Sequence, residues 1–306
     1  MNNELIHPYL FPLLYKSLWV VGAGTLFIIL MGLIRRTDTA TYKNDWLRLY
    51  VMSGIGYILI ICGAFGAWGL LLPAIVIAFL GWQELIRCIE TKYGSVTLFR
   101  LYPILGTLSI LGGLTSSSSD VFLGIGLAAW SAITIPMIIT RRPVPMHAML
   151  TVGLGTVLIG VPLTHLLLLM QLDYGAFAFL IILINCHDGF AVGFGRLLGK
   201  HLMCPHISPK KTYEGAIGAI AICLIVGYAV RFLIPSWELW QVLAGSILIG
   251  ILALLGDLVA SSLKREANIK DFSKTLPGMG GILDRFDGLL FIAPIFYAFV
   301  RFSLKV

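Results

Sequence analysis

Leu239-Trp-Gln-Val-Leu-Ala-Gly-Ser-Ile-Leu-Ile-Gly-Ile-Leu-Ala-Leu-Leu-Gly-Asp-Leu258 carries no charge before Asp257, and its reading decides the architecture. The hydrocarbon core of a bilayer is about 30 Å thick and takes roughly 17 to 25 apolar residues as a helix. The stretch therefore reads as a membrane span with a carboxylate at one end. Working outward, similar runs lie near 17–34, 49–65, 68–84, 101–114, 121–140, 147–170, 174–190, 215–234 and 288–303. The run at 101–114 is short, and those at 49–65 and 68–84 are parted only by Ala64-Phe-Gly-Ala67, so eight to ten spans are expected. Backbone groups in lipid must be bonded internally, and the ten-residue alternation of a barrel is missing. The expected fold is all-α, a polytopic transmembrane helical bundle.

Composition agrees. Of 306 residues, 58% are hydrophobic and 12% charged, against about a quarter charged in an ordinary soluble domain. The net charge is +7, but the cations are spread in small groups between apolar runs, which excludes a nucleic-acid protein of the usual kind. Eighteen of the 22 basic residues fall in alternate connections, around Arg35, Arg87, Arg141, Lys211 and Lys264. By the positive-inside rule those connections are cytoplasmic and both termini lie outside, an assignment that depends in its N-terminal part on the run at 101–114. Cys62, Cys88, Cys186, Cys204 and Cys223 are scattered and odd in number, so no disulfide framework is expected. Met1-Asn-Asn-Glu4 lacks the basic start of a cleaved signal peptide.

An ionisable residue at membrane depth costs at least a few kcal/mol and points to function. Asp188 closes one apolar run, Asp257 another, and Asp284 and Asp287 open the last. If the helix holding Asp257 continues, Ser261 and Lys264 share its face, with Arg265 beside them. Five basic and five acidic residues lie within 256–287, a balance suited to holding both a divalent cation and phosphate. Oxygen donors without a Cys cluster favour Mg²⁺ over Zn²⁺. Pro277-Gly-Met-Gly-Gly281 reads as a turn whose N–H groups approach phosphate oxygens. Ser208 reads as an N-cap, Pro209 as the first helical residue and Lys210-Lys211 as a first turn, together a helix-start anion site. Glu84 reads as an ion pair with Arg87, and Asp188 either as a partner of Arg196 or Lys200 or as a catalytic group. Gly193-Phe-Gly195-Arg-Leu-Leu-Gly199 is a poor dinucleotide fingerprint, and Cys186, His187, His201, Cys204 and His206 lack zinc-site spacing.

Ser261-Ser-Leu-Lys-Arg265, Lys270-Asp271, Ser273, Leu276-Pro277, Gly280-Gly281 and Asp284-Arg-Phe-Asp287 resemble, at matching spacing, the signature of the phosphatidate cytidylyltransferase family. Ile207-Ser-Pro-Lys-Lys-Thr-Tyr-Glu-Gly215, with Asp188, Gly195-Arg196 and Gly199-Lys200, resembles its second block. The resemblance covers roughly 188–290. Met279 and Tyr213 stand where the family commonly has His and Trp, and Gly189 and Val192 where it has a hydroxyl residue and an aromatic; no carboxylate or cation of the main motif is lost.

The resemblance implies transfer of the cytidylyl group of CTP to phosphatidate, giving CDP-diacylglycerol and pyrophosphate. It implies Mg²⁺, with room for a second metal ion, on Asp257 and Asp284. Lys264, Arg265, Lys270, Asp271 and Asp287 would be catalytic. Ser208, Lys210, Lys211, Glu214, Asp188, Ser261, Gly280, Gly281 and Arg285 would bind substrate. Residues 1–170 would form the N-terminal scaffold helices and 171–306 the C-terminal helices with the catalytic loops, in one integral domain of a bacterial inner membrane with the site on the cytoplasmic side. Partners are CTP, the lipid phosphate and membrane lipids, without nucleic acid; a homodimer fits equally. Rival readings are another lipid or polyprenyl phosphate as acceptor, a transporter, and a non-catalytic homologue. A transporter places charge near the midplane, often with inverted repeats, whereas here the charges gather at one face.

Overall fold

A helix satisfies every backbone donor and acceptor of a segment from within, which is why apolar runs this long fold as helices. The computed structural model describes residues 7, 10–35, 39–94, 129–131, 133–135, 137–139, 141, 145–276 and 280–305. The helices are α1 (Leu10–Arg35), α2 (Thr39–Ala64), α3 (Gly66–Tyr93), α4 (Met146–Gly155), α5 (Val161–Leu172), α6 (Tyr174–Leu198), α7 (Tyr213–Ala229), α8 (Leu239–Glu266) and α9 (Leu283–Leu304). A π turn at Thr156–Gly160 joins α4 to α5 as one span. Six described segments are long and apolar enough to cross a membrane: Asp45–Ala64, Gly66–Tyr93, Met146–Leu172, Tyr174–Leu198, Leu239–Glu266 and Leu283–Leu304. The chain is an all-α integral membrane protein, as its hydropathy predicts. The run at 101–114 and the first part of 121–140 lie outside the described residues.

Helix ends follow local chemistry. Gly66 takes φ +78°, a value L side chains rarely adopt, and turns α2 into α3. Asp173 caps α6 by accepting from the Ala176 N–H at 3.0 Å. Glu238 and Gln241 form a reciprocal capping box at α8. The first half of α6 is the centre of the bundle: Phe177, Ala178, Phe179, Leu180 and Leu183 are fully buried, and α1, α2, α5, α7, α8 and α9 all pack on this helix. Phe179 stacks on Phe296 of α9 with centroids 6.4 Å apart. Outward-facing Trp68, Leu72, Ile251 and Leu255 are exposed, as lipid-facing positions are.

One expectation is corrected. Ser208–Thr212 is not a helix start but strand β2, antiparallel to β1 (Leu202–Cys204). Thr212, not Ser208, is the N-cap of the following helix, its Oγ1 accepting from the Gly215 N–H at 3.2 Å. Thr212 pairs with Leu202 and Ser208 with Cys204, so Pro209 sits in a two-stranded edge, where its missing N–H is tolerated.

Candidate functional site

α8 runs on past its apolar part to Glu266, so Asp257, Ser261 and Lys264 leave the membrane on one face, as the sequence predicts. Ser261 Oγ donates to Asp257 Oδ1 at 3.2 Å. On its other oxygen Asp257 meets Lys211 Nζ at 2.8 Å, and Lys211 reaches the Leu254 carbonyl at 3.4 Å. Strand alternation explains why Lys211 enters this cluster while Lys210 points away and is exposed. The helix-start anion site is thus replaced by a strand that delivers one lysine to one aspartate.

Lys264 Nζ donates to Asp284 Oδ1 at 2.6 Å, with the side chains 10% and 5% exposed. The same ammonium lies 5.4 Å from the centre of the Phe272 ring. Asp284 Oδ2 accepts from the N–H groups of Phe272 and Gly281, both at 2.8 Å. Gly280 takes φ +87°, and a Cβ there would stand 2.8 Å from Asp284 Oδ2; a Cβ on Gly281 would stand 2.5 Å from Glu84 Oε2. These glycines let the chain pass between two carboxylates, and the Gly281 N–H expected to approach phosphate donates here to Asp284. Pro277 to Met279 lie outside the described residues.

Glu84 of α3 is the residue the sequence reading misplaced. It does not turn to Arg87. It is 2% exposed and accepts from the Ile282 and Leu283 N–H groups at 2.9 and 2.8 Å and from Ser273 Oγ at 2.6 Å. It caps α9 from another helix and fixes the loop that carries Asp284. The signal was there: a carboxylate inside an apolar run.

The other predicted residues divide. Asp287 opens onto a largely apolar cavity of about 200 Å³ between α3, the π turn, α8 and α9, lined also by Leu85, Phe272 and Leu290. Asp188 lies 3.1 Å from His187 Nδ1 and pairs with neither Arg196 nor Lys200. Arg196 instead meets Asp45 of α2 at 2.5 Å. Arg285 lines a small cavity with Asp188 and Phe286. Arg265 donates to the carbonyls of Ile207 and Ile269, at 3.1 and 3.2 Å, and so braces the hairpin turn. The hydrogen bond between Glu214 and His201 Nδ1 at 2.6 Å, with those from the Lys200 and His201 N–H groups, holds the Glu214 carboxyl well below the usual range, at about 2. Lys270 and Asp271 are exposed on the loop, and Ser208 pairs with Cys204 in the hairpin.

Carboxylates and ammonium groups therefore alternate at one end of the bundle: Lys211 on Asp257, Lys264 on Asp284, with Asp287 and Asp188 near by. Among the described residues no three His, Cys, Asp or Glu side chains converge as a ready-made metal cage. The donors are oxygens alone, the chemistry of a hard divalent cation, and Asp257 is the most open of them, at 44%. Such an array can hold phosphate oxygens and a cation together.

The chain belongs to the cytidylyltransferase family, whose sequence model matches residues 46–303. It is 44% identical over 125 residues to the phosphatidate cytidylyltransferase of Staphylococcus haemolyticus, a match covering 40% of this chain and 47% of that protein. The phosphatidate cytidylyltransferases of Staphylococcus saprophyticus and Staphylococcus aureus are 43% and 42% identical over the same length. The chain thus spans just under half the length of these relatives.

Proposed function

We propose that this protein transfers the cytidylyl group of CTP to phosphatidate, giving CDP-diacylglycerol and pyrophosphate, on the cytoplasmic side of a bacterial inner membrane. The observation that carries the reading is the pairing of Lys211 with Asp257 and of Lys264 with Asp284 at one end of an apolar bundle, in a chain of the cytidylyltransferase family. The basic loops support the cytoplasmic side.

The chemistry needs little from a general base. A phosphate monoester has a second pKa of about 6, so the acceptor is largely dianionic at neutral pH. One of its oxygens attacks the α-phosphorus of CTP, the bond from that phosphorus to the bridging oxygen of the β-phosphate breaks, and pyrophosphate leaves with the electron pair. The protein's task is to position two anions and offset their charge. Lys211 and Lys264 would carry phosphate oxygens, each presented by its aspartate. Asp257 and Asp284 would hold Mg²⁺, with Asp287 close behind. The bound cation would supply Lewis-acid neutralisation of phosphate charge. Ser261 orients Asp257, and Glu84 holds the loop that positions Asp284.

Purified protein in detergent, given labelled CTP and phosphatidate, is expected to move label into lipid with Mg²⁺ and to stop when EDTA removes it. Asp257→Asn and Asp284→Asn are expected to abolish transfer in protein that stays folded. Failure of the unaltered protein with phosphatidate and with a panel of other lipid and polyprenyl phosphates would overturn the reading, and near-normal turnover in either variant would overturn the metal assignment.

A further inference from the structure

Among the described residues α1 and α2 give no hydrogen-bond partner to Asp257 or Asp284, yet with α6 they line a cavity of about 110 Å³. Phe27, Leu49 and Met52 make apolar wall, while Asp45, Arg48, Asp188 and Arg196 supply charge. On α2 the residues Asp45, Arg48, Leu49 and Met52 fall at i, i+3, i+4 and i+7, one helical face. Asp45 is committed to Arg196, a bond that ties α2 to α6. Arg48 has no such counterpart: its Nε is buried and meets no hydrogen-bond acceptor among the described residues. Arg196 and Arg285 lie within electrostatic reach of it, as do Asp188 and Asp257. A second cavity shares Met52, Asn185 and Asp188 with the first and leads on to Arg285 and Phe286 of α9, the helix that carries Asp284 and Asp287.

A half-buried arginine whose buried Nε has no acceptor, set among apolar walls, matches an anion carried on an apolar body. We infer that the cavity between α1, α2 and α6 binds the phosphate head of the acceptor lipid, with Arg48 and Arg196 gripping its oxygens. The inference rests on the proposed cytidylyl transfer and places its acceptor. The nucleotide is left to Lys211 and Lys264, neither of which lines this cavity. The apolar walls favour a lipid phosphate over a soluble one, because they give apolar contact to acyl chains that glycerol 3-phosphate lacks.

Two substitutions test this. Arg48→Ala removes the open donor. Gly189→Leu fills the cavity from α6: Gly189 lines it, a Cβ there meets nothing within 4 Å, and leucine is the better helix former, so the fold is not strained. Binding of phosphatidate in nanodiscs and of CTP would be measured separately, with KM for each in turnover. Losing a charge-assisted hydrogen bond is expected to weaken phosphatidate roughly ten- to hundredfold in Arg48→Ala, with CTP changed less than about twofold. Arg48→Lys is expected to recover part of the loss, and Gly189→Leu to raise KM for the lipid alone. Glycerol 3-phosphate, the same head without acyl chains, is expected to compete poorly. Wild-type affinity for phosphatidate in both variants, loss of CTP binding instead, or full competition by glycerol 3-phosphate would overturn the inference. A protein that binds phosphatidate through Arg48 but transfers no cytidylyl group would overturn the proposed function and leave this site standing.

Discussion

Glu84, itself 2% exposed, gathers backbone donors 198 and 199 residues away in sequence and the hydroxyls of Ser273 and Thr275 as well. A buried carboxylate of this kind is stable because donors are aimed at it, and the buried Ile282 and Leu283 N–H groups depend on it in turn. Glu84→Gln keeps the shape but turns an amide N–H₂ toward N–H donors. The expected cost is about 2 kcal/mol, read as a lower unfolding midpoint in detergent and faster amide exchange over 272–276 and 280–283. Unchanged exchange in that loop would show that Glu84 does not hold it. The Lys264–Asp284 pair makes a second case. Removing one partner of a buried ion pair leaves the other charge uncompensated, so Lys264→Met is expected to cost about 3 kcal/mol. Lys264→Met with Asp284→Asn should recover much of that stability while activity stays absent. No recovery in the double variant would mean that the destabilisation comes from elsewhere.

At the scale of the element, α8 was legible and the hairpin was not, for a physical reason. The apolar run of α8 exceeds what a soluble helix needs, and the face carrying Asp257, Ser261 and Lys264 follows from helical period alone. Ser208-Pro209-Lys-Lys reads as a helix start opening with a capping residue, and the helix begins instead at Thr212. What moves the start is pairing of 208–212 with Leu202–Cys204, a contact that local propensity does not encode. The roles of Glu84 and Arg48 were hidden in the same way: each has a nearby charge in sequence, while their surroundings in space come from α9 and α6. Thr212→Ala is expected to destabilise by about 1 kcal/mol through loss of the cap, and Thr212→Ser to be nearly neutral. Equal destabilisation by both would place the effect in the methyl group, which packs toward Gly199, and not in the cap.

Across the whole molecule, charge and apolar surface divide the labour. The apolar exterior commits the helices to a bilayer, and the basic connections predict, by the positive-inside rule, which way it is oriented. α7 is the shortest of the apolar helices after the hairpin, at 17 residues, or about 25 Å along its axis. That falls a little short of a hydrocarbon core of about 30 Å, and the single turn at Arg231–Leu233 follows it directly. If α7 spans, Lys210 and Ser236 lie on opposite sides of the membrane, and both are exposed. With the native cysteines replaced, a cysteine at 236 is expected to react with an impermeant thiol reagent in intact spheroplasts. A cysteine at 210 should react only after the membrane is opened, as the proposed cytoplasmic placement of the hairpin and the Lys211–Asp257 pair requires. Labelling of both from the same side would make α7 a re-entrant segment. The carboxylate cluster would then have to be reached from a face that the basic loops do not mark.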